Sequence, residues 1–406
     1  MRNVVFVAPY PLATTLRFAR ALASLDNVRL LGLYTKPPGG DDARRFADAV
    51  RVEDLLDPRQ ILAGVRALMR RHGPIHRLIG ILEPIQGPLA EVRAALGIDG
   101  ADPETTERFR DKATMKDALR AEGLPCAEHA RIASLEEARA FVARVGYPVI
   151  VKPLAGMGCR STWRIHHPPQ LEAAVHALGV SPAYPAIIEE FLSGREFSFE
   201  TVTVGGIPQF CSFTEYLPPP LQAVENDWIQ WTVLHPRTID GPAFDDARAI
   251  GIRAVRALGL RSGFSHMEWF RRADGSLAIG EIAARPPGAQ IVAGNNWVHD
   301  ADLHRAWARA VVDDAFDGPW ERKYAVGVAF LRGAGRGRVA GVTGVEEANR
   351  RVGSIVVASQ LPRIGAPKSD SYEGDGFVIV RHPQTEVVED ALQVLIRTLR
   401  THYRDA

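Results

Sequence analysis

Over its first hundred residues the chain alternates unbroken apolar runs with helical stretches, and few folds accommodate that order. The apolar runs cover 4–8, 28–34 and 78–82; helical patterning fills 12–25, 58–69 and 89–96. Strands that are apolar along their whole length are buried on both faces, which predicts a parallel sheet covered by helices on each side. Ligands of such sheets sit beyond the carboxyl ends of the strands. Pro9-Tyr10 and Glu83 follow strand candidates directly, so they face either a ligand or ordinary solvent-side loops. No Gly-x-Gly-x-x-Gly follows the first strand, so the fold class by itself makes no dinucleotide site.

From about residue 109 the texture changes. A helix is predicted over 112–122, stopped by Gly123-Leu124-Pro125. A second is predicted over 134–145, where Ser134 with Glu137 forms a capping-box pattern. Short strands then follow one another with hairpin turns, including one at Gly205-Gly206. After helices near 242–258 and 302–312, the last ninety or so residues read as short strands and glycine-rich turns closed by an amphipathic helix over 387–399. The predicted class is α/β with an α+β middle, and 406 residues are enough for several packed units.

A formal net charge of +1 excludes bulk electrostatic attraction to nucleic acid or an anionic membrane, so any bound anion must be held by local groups. Cys126, Cys159 and Cys211 have no metal-type spacing, which points to a reducing compartment without disulfides. The N-terminus has only a short apolar run before Pro9 and does not read as a signal peptide. No run approaches the roughly 20 apolar residues that span a bilayer. A cytoplasmic location is expected.

Three segments carry chemistry. In HMEWFRRADGSLAIGEIAARPPG, a two-residue turn at Asp274-Gly275 would pair Glu268 with Glu281 and His266 with Ala283. Two carboxylates facing each other repel unless a cation lies between them, and Mg²⁺ suits such a pair when phosphates and water complete its shell. Period-two alternation carried past Glu281 brings Arg285 to the same face. The alternative is a solvated hairpin face. In GYPVIVKPLAGMGCRS, Lys152 ends a strand and Gly156 and Gly158 follow, a lysine and a loop suited to phosphate; a plain turn is the alternative. In AIIEEFLSGREFSFE, a buried strand carries Glu189 and Glu190 and leads to Leu192 and Glu196.

In this order the segments resemble the ATP-grasp superfamily, and among its branches the L-amino-acid ligases. FRDKATMKDALRAEGLPCAEHARI is similar to that family's opening helix. The resemblance implies ATP held by Lys112, Lys152, Gly156, Gly158, Glu189, Glu190, Leu192 and Glu196. It further implies Mg²⁺ (with Mn²⁺ as a substitute) on Glu268 and Glu281, and Arg285 as the catalytic arginine. It implies a pre-ATP-grasp α/β unit over 1–108, a small subdomain with a glycine-rich flap over 109–190, a large subdomain with the metal site over 191–315, and a β-rich C-terminal unit over 316–406. Substrate contacts are expected from Glu83, His266, Gly288 and Arg332. Two positions depart from the pattern: Ala283 stands where the family usually has an asparagine ligand, and Cys159-Arg160 where small flap residues are common. His266 opposite Ala283 either helps fill that gap or is structural.

The implied chemistry is activation of a carboxylic acid as an acyl phosphate, with ATP converted to ADP and phosphate, followed by capture by an amine. Small-molecule acid and amine partners are expected, with no nucleic acid and no membrane, and a homodimer is plausible from the family. The alternatives are a bicarbonate-activating carboxylase or purine-pathway enzyme, or an ATP-binding protein without turnover. The carboxylase and purine branches usually carry a glycine-rich turn after the first strand, where this chain has Ala8-Pro9-Tyr10-Pro11.

Overall fold

The computed structural model describes residues 1–156 and 161–405. The first hundred residues form a four-stranded parallel sheet, with Arg2–Ala8 between Val28–Tyr34 and Ile75–Ile79 and the short Asp48–Arg51 at the edge. Alternate residues of Arg2–Ala8 enter different cores. Val5 and Val7 pack on Ile61, Val65, Leu68 and Leu89, from the helices Pro58–His72 and Gln86–Leu96. Val4, Phe6 and Ala8 pack on Phe18 and Leu22 of Ala13–Ala23 and on Trp307. Trp307 belongs to the distant helix Leu303–Asp313, so this sheet is sealed by a segment three hundred residues downstream.

A second, antiparallel sheet has the order His129–Ile132, Ala186–Glu190, Val149–Pro153, Trp163–Ile165. Helices Leu135–Val145 and Pro168–Ala177 cover it through Phe141, Leu171 and Val175. The Ser134 hydroxyl accepts from the Glu137 N–H, while the Glu137 carboxylate reaches back to the Ala133 N–H, so the start of this helix satisfies its own donors.

The third sheet is antiparallel and has eight strands, in the order Leu277–Ala283, Gly263–Arg271, Arg195–Val204, Ile207–Leu217, Thr232–His235, Ala325–Leu331, Gly376–His382, Val356–Gln360. Its last three strands come from beyond residue 316, so the C-terminal strands continue this sheet, apart from the separate pair Arg338–Thr343 and Arg400–Arg404. The chain therefore ends on a strand after the helix Thr385–Thr398, where the sequence reading has it close on a helix.

Period-two alternation divides this sheet chemically. Phe197, Phe199, Met267 and Trp269 face the helix Asp245–Leu258, with Phe197 stacked on Trp269 at 4.6 Å. Gly251 of that helix comes so close that a Cβ would lie 2.5 Å from the Phe199 ring. The intervening residues Glu196, Ser198, Glu200, His266 and Glu268 form a polar opposite face. No helix among the described residues is long and apolar enough to cross a membrane.

Candidate nucleotide and metal site

The hairpin places Glu268 opposite Glu281 and His266 opposite Ala283. The route to that pairing differs from the expected two-residue turn. Arg271 pairs with Leu277, the Arg272 N–H bonds the Ser276 carbonyl at 2.9 Å, and Gly275 adopts φ +84°, which makes a three-residue loop with glycine in the left-handed position. That loop alone would put Glu268 opposite Gly280. A bulge between Glu268 and Trp269 leaves Gly280 without a partner and restores the acidic pair.

Four cations and a set of acids converge on this pair. Lys112 begins the helix Lys112–Ala121, capped by the Asp111 side chain. Its ammonium lies 3.2 Å from Glu281 and donates to the Gly156 carbonyl, also at 3.2 Å. Lys152, at the end of Val149–Pro153, lies 2.6 Å from Glu189 and 3.9 Å from Glu281. Its pKa is raised: burial opposes the charge, but Glu189 and then Glu281 more than compensate. Arg285 lies past the strand, which ends at Ala283, so strand alternation does not carry it as the sequence reading has it. Its Nε donates to Glu83 at 3.1 Å and its Nη1 to the Pro286 carbonyl at 3.0 Å.

The fourth cation, Lys116, is fully buried and escaped the sequence reading. It sits one turn after Lys112 on the same helix face, and that spacing was the available signal. It donates to the Gly280 carbonyl turned out at the bulge and lies 3.3 Å from Glu189. Burial would raise the Glu189 carboxyl, but Lys116 and Lys152 hold it down at about 2.

The resemblance puts Glu189 and Glu190 among the residues that hold ATP; the structure gives both side chains protein partners. Glu189 joins the two lysines, and Glu190 accepts from Arg272 at 2.8 Å and from the Glu128 N–H at 3.0 Å. Leu192 is buried against Ala127 and Ala278. Glu196 is buried on the polar face, where burial and then the Glu268 charge raise its pKa well above the usual carboxylate range. Gly158, with Cys159 and Arg160, lies outside the described residues.

On the same face His266 is buried, its Nδ1 3.0 Å from Glu200 and its Nε2 3.7 Å from Glu268. Burial would lower its pKa; bonds to Glu200 and Glu268 raise it to about 9. Glu200 in turn accepts from the Ser212 hydroxyl, to which Asn295 donates. The imidazolium thus faces Glu268 from a hydrogen-bonded support on Glu200, Ser212 and Asn295.

Glu83 opens a short 3-10 turn beyond the strand Ile75–Ile79, so the carboxyl end of the parallel sheet does reach the site. Burial raises its pKa despite Arg285. Arg110, with Nε 4.0 Å from Glu83, Arg285 and Glu83 line a crevice of about 160 Å³ between the first unit and the large sheet. Tyr10 is exposed. Gly288 precedes Ala289 and Gln290, both left-handed at φ +52° and +55°, and a Cβ on it would lie 3.3 Å from Glu373 and from the Tyr372 hydroxyl. Arg332 donates to the Ala223 and Ile229 carbonyls and lines a different cavity from Glu83 and Arg285.

The residues present fit a divalent cation held with a polyphosphate. Glu268 and Glu281 are opposed and partly open, with side chains 34% and 25% exposed, while Glu83 and Glu189 are each at 8%. Among the described residues no group of three or more His, Cys, Asp or Glu could hold an ion unaided. A pair of carboxylates leaves the other coordination positions to phosphate and water oxygens, as Mg²⁺ prefers.

Residues 117–290 match the family model described as the ATP-grasp domain. The chain is 26% identical over 251 residues to an L-arginine-specific L-amino acid ligase of Bacillus subtilis, a match spanning 61% of this chain and 60% of that protein. An L-amino acid ligase of Bacillus licheniformis has the same fold, with a TM-score of 0.81 at 20% identity over 100% of this chain and 99% of that one. An N5-carboxyaminoimidazole ribonucleotide synthetase of Thermotoga maritima also shares it, with a TM-score of 0.73 at 18% identity over the whole of both chains.

Proposed function

We propose that this chain, which carries an ATP-grasp domain, is an ATP- and Mg²⁺-dependent carboxylate–amine ligase that forms an amide or peptide bond through an acyl phosphate. The observation that carries the reading is the opposition of Glu268 and Glu281 beside Lys112 and Lys152. Similarity to two L-amino acid ligases supports an amino acid as one substrate.

In this reading Lys112 and Lys152 leave their pairing with Glu281 to grip the terminal phosphates of ATP, and Glu189 with Lys116 keeps Lys152 extended toward them. Glu268 and Glu281 hold Mg²⁺, with Mn²⁺ as a substitute. The bound ion supplies charge neutralisation for the transferring phosphoryl group. A substrate carboxylate attacks the γ-phosphorus, ADP leaves, and the amine then displaces phosphate from the acyl carbon. Arg285, held in place by Glu83, faces the oxygen that becomes negative in each step. His266 fixes Glu268 in the ionised form, which makes it a positioning residue where Ala283 offers no ligand. We assign Leu192 and Glu196 to the adenine and ribose side and Gly156 with Gly158 to the flap. A cytoplasmic setting and a homodimer belong to the same proposal.

The test is ADP and phosphate release with pairs of amino acids, single amino acids and bicarbonate. Release that requires both an acid and an amine supports ligation. Release with bicarbonate as the activated acid would move the chain to the carboxylase reading, which its likeness to the Thermotoga fold keeps in view. ATP binding without release from any mixture would defeat both.

A further inference from the structure

The strand Leu277–Ala283 and the helix Ile291–His299 are joined through Arg285-Pro286-Pro287-Gly288-Ala289-Gln290. Within that join Ala289 and Gln290 both adopt left-handed backbone, at φ +52° and +55°; no other two adjacent non-glycine residues among those described do so. A left-handed backbone presses Cβ against the following carbonyl oxygen, and neither alanine nor glutamine has the short polar side chain that eases this for asparagine or aspartate. The turn must be held from outside.

Two segments from opposite ends of the chain hold it. The Glu373 carboxylate accepts from the Ala289 N–H at 3.0 Å. Arg17, on the helix Ala13–Ala23, donates through Nη1 to the Gln290 side-chain oxygen, also at 3.0 Å. Among the described residues this is the only hydrogen bond of Arg17, and no acid pairs with it, while Arg20 on the same helix pairs with Asp42. Burial and then the Arg20 charge lower the Arg17 pKa. Its surroundings thus disfavour the charge, and what the guanidinium gains there is the contact with Gln290.

The turn is stiffly connected to Arg285. Pro286 and Pro287 have φ fixed by their rings, and each confines the residue before it to extended backbone. Gly288, the one adaptable residue of the link, is closed in: a Cβ on it would lie 3.3 Å from both the Glu373 carboxylate and the Tyr372 hydroxyl. Fixing Ala289 and Gln290 therefore fixes where the Arg285 side chain starts, while Glu83 bonds its Nε at the other end.

We propose that Arg17 is a positioning residue for Arg285: by holding Gln290 in the left-handed turn it sets, through the two prolines, the aim of that arginine. The inference rests on the ligase reading, in which Arg285 faces the oxygen that becomes negative, and it adds to Glu83 a second contact from the first unit. Among the described residues Arg17 has no bond to Glu268, Glu281, Lys112 or Lys152, so it should act on turnover and leave ATP binding alone.

The test follows ADP release at saturating ATP with an acid–amine pair that the wild type couples, alongside thermal unfolding. Arg17→Met should lower kcat per folded enzyme at least about tenfold, with the KM for ATP within about twofold, because a misaimed group loses contacts made in the transition state. Arg17→Lys, which can still donate to Gln290, should lose less, and carries the same readout if Arg17→Met does not fold. Adding Gln290→Gly to either variant should recover most of its loss, because glycine takes the left-handed conformation unaided. A kcat unchanged within about twofold in Arg17→Met, whatever its thermal midpoint, would overturn the inference and leave ligation standing. A loss that Gln290→Gly does not recover would do the same, since Arg17 would then act by another route. No release that depends on acid and amine in the wild type would remove the ligase reading and this inference together.

Discussion

The two faces of the strands Arg195–Val204 and Gly263–Arg271 are both mostly buried, yet they are built on opposite principles. Toward the helix Asp245–Leu258 they present Phe197, Phe199, Met267 and Trp269, whose burial needs no partner beyond close packing. Toward the small sheet they present Glu196, Glu200, His266 and Glu268. Each of these would be costly to bury alone; Glu200 and His266 satisfy one another within the sheet, while Glu196 and Glu268 face Lys152 from the small sheet. The apolar face holds its own strands together. The polar face depends on lysines from 112 to 152 arriving correctly, and so ties three units to one geometry.

That contrast predicts opposite phenotypes on adjacent residues. The largest effect on turnover belongs to the polar face. If Glu281 holds the ion as proposed, Glu281→Ala should reduce Mg·ATP-dependent ADP release by at least about a thousandfold. Its loss of stability should stay below that of Trp269→Ala, since removing Glu281 relieves repulsion with Glu268 while leaving Lys112 without its carboxylate partner. Substantial retained turnover would detach this acid from the reaction. Trp269→Ala should do the reverse, losing about 3–5 kcal/mol of stability in denaturant unfolding while the folded fraction keeps its KM for ATP. If the two variants behaved alike, the division between the faces would not be real.

Lys116 sharpens the comparison because it is a fully buried charge that the helix Lys112–Ala121 brings to Glu189 and the Gly280 carbonyl. Lys116→Met strands Glu189 beside Lys152 alone and removes the donor to the Gly280 bulge. Loss of about 3–5 kcal/mol is expected for breaking a buried pair. Pairing Lys116→Met with Glu189→Gln should recover part of that loss, which a cavity at Lys116 alone would not allow.

Much of this was legible in the sequence, and the exceptions have physical reasons. Continuous apolar runs specified the parallel sheet because burial on both faces leaves no other pattern. The Glu268–Glu281 pairing was also readable, but through two departures that cancel: a three-residue loop at Ala273–Gly275 and a bulge at Gly280. Sequence alternation could not have revealed the bulge, since glycine contributes no side chain to either face. Arg285 was placed near the acids by extending a strand that in fact stops at Ala283; contact with Glu83, over two hundred residues earlier, is what holds it. The partners of Glu189 were hidden for a similar reason, being assembled from 116, 152 and 189. The C-terminal strands looked like a separate unit because short strands carry no mark of which sheet they join.

The smallest expected effect tests how much of the contact between the small sheet and the lysines opposite the polar face is electrostatic. Glu189 has its folded pKa depressed from 4.5 to about 2 by Lys116 and Lys152, so its contribution to stability is fully present above pH 4.5. It is lost as pH falls through about 2, where the folded carboxyl takes up its proton. Glu189→Gln keeps the shape and removes the charge. Its deficit in unfolding free energy against the wild type should therefore be constant between pH 7 and 5, then shrink steadily as the solution is acidified below 4.5. A deficit that did not change with pH would mean that Glu189 acts through packing alone. The small sheet's contact with Lys116 would then be held, like the apolar face of the large sheet, by shape.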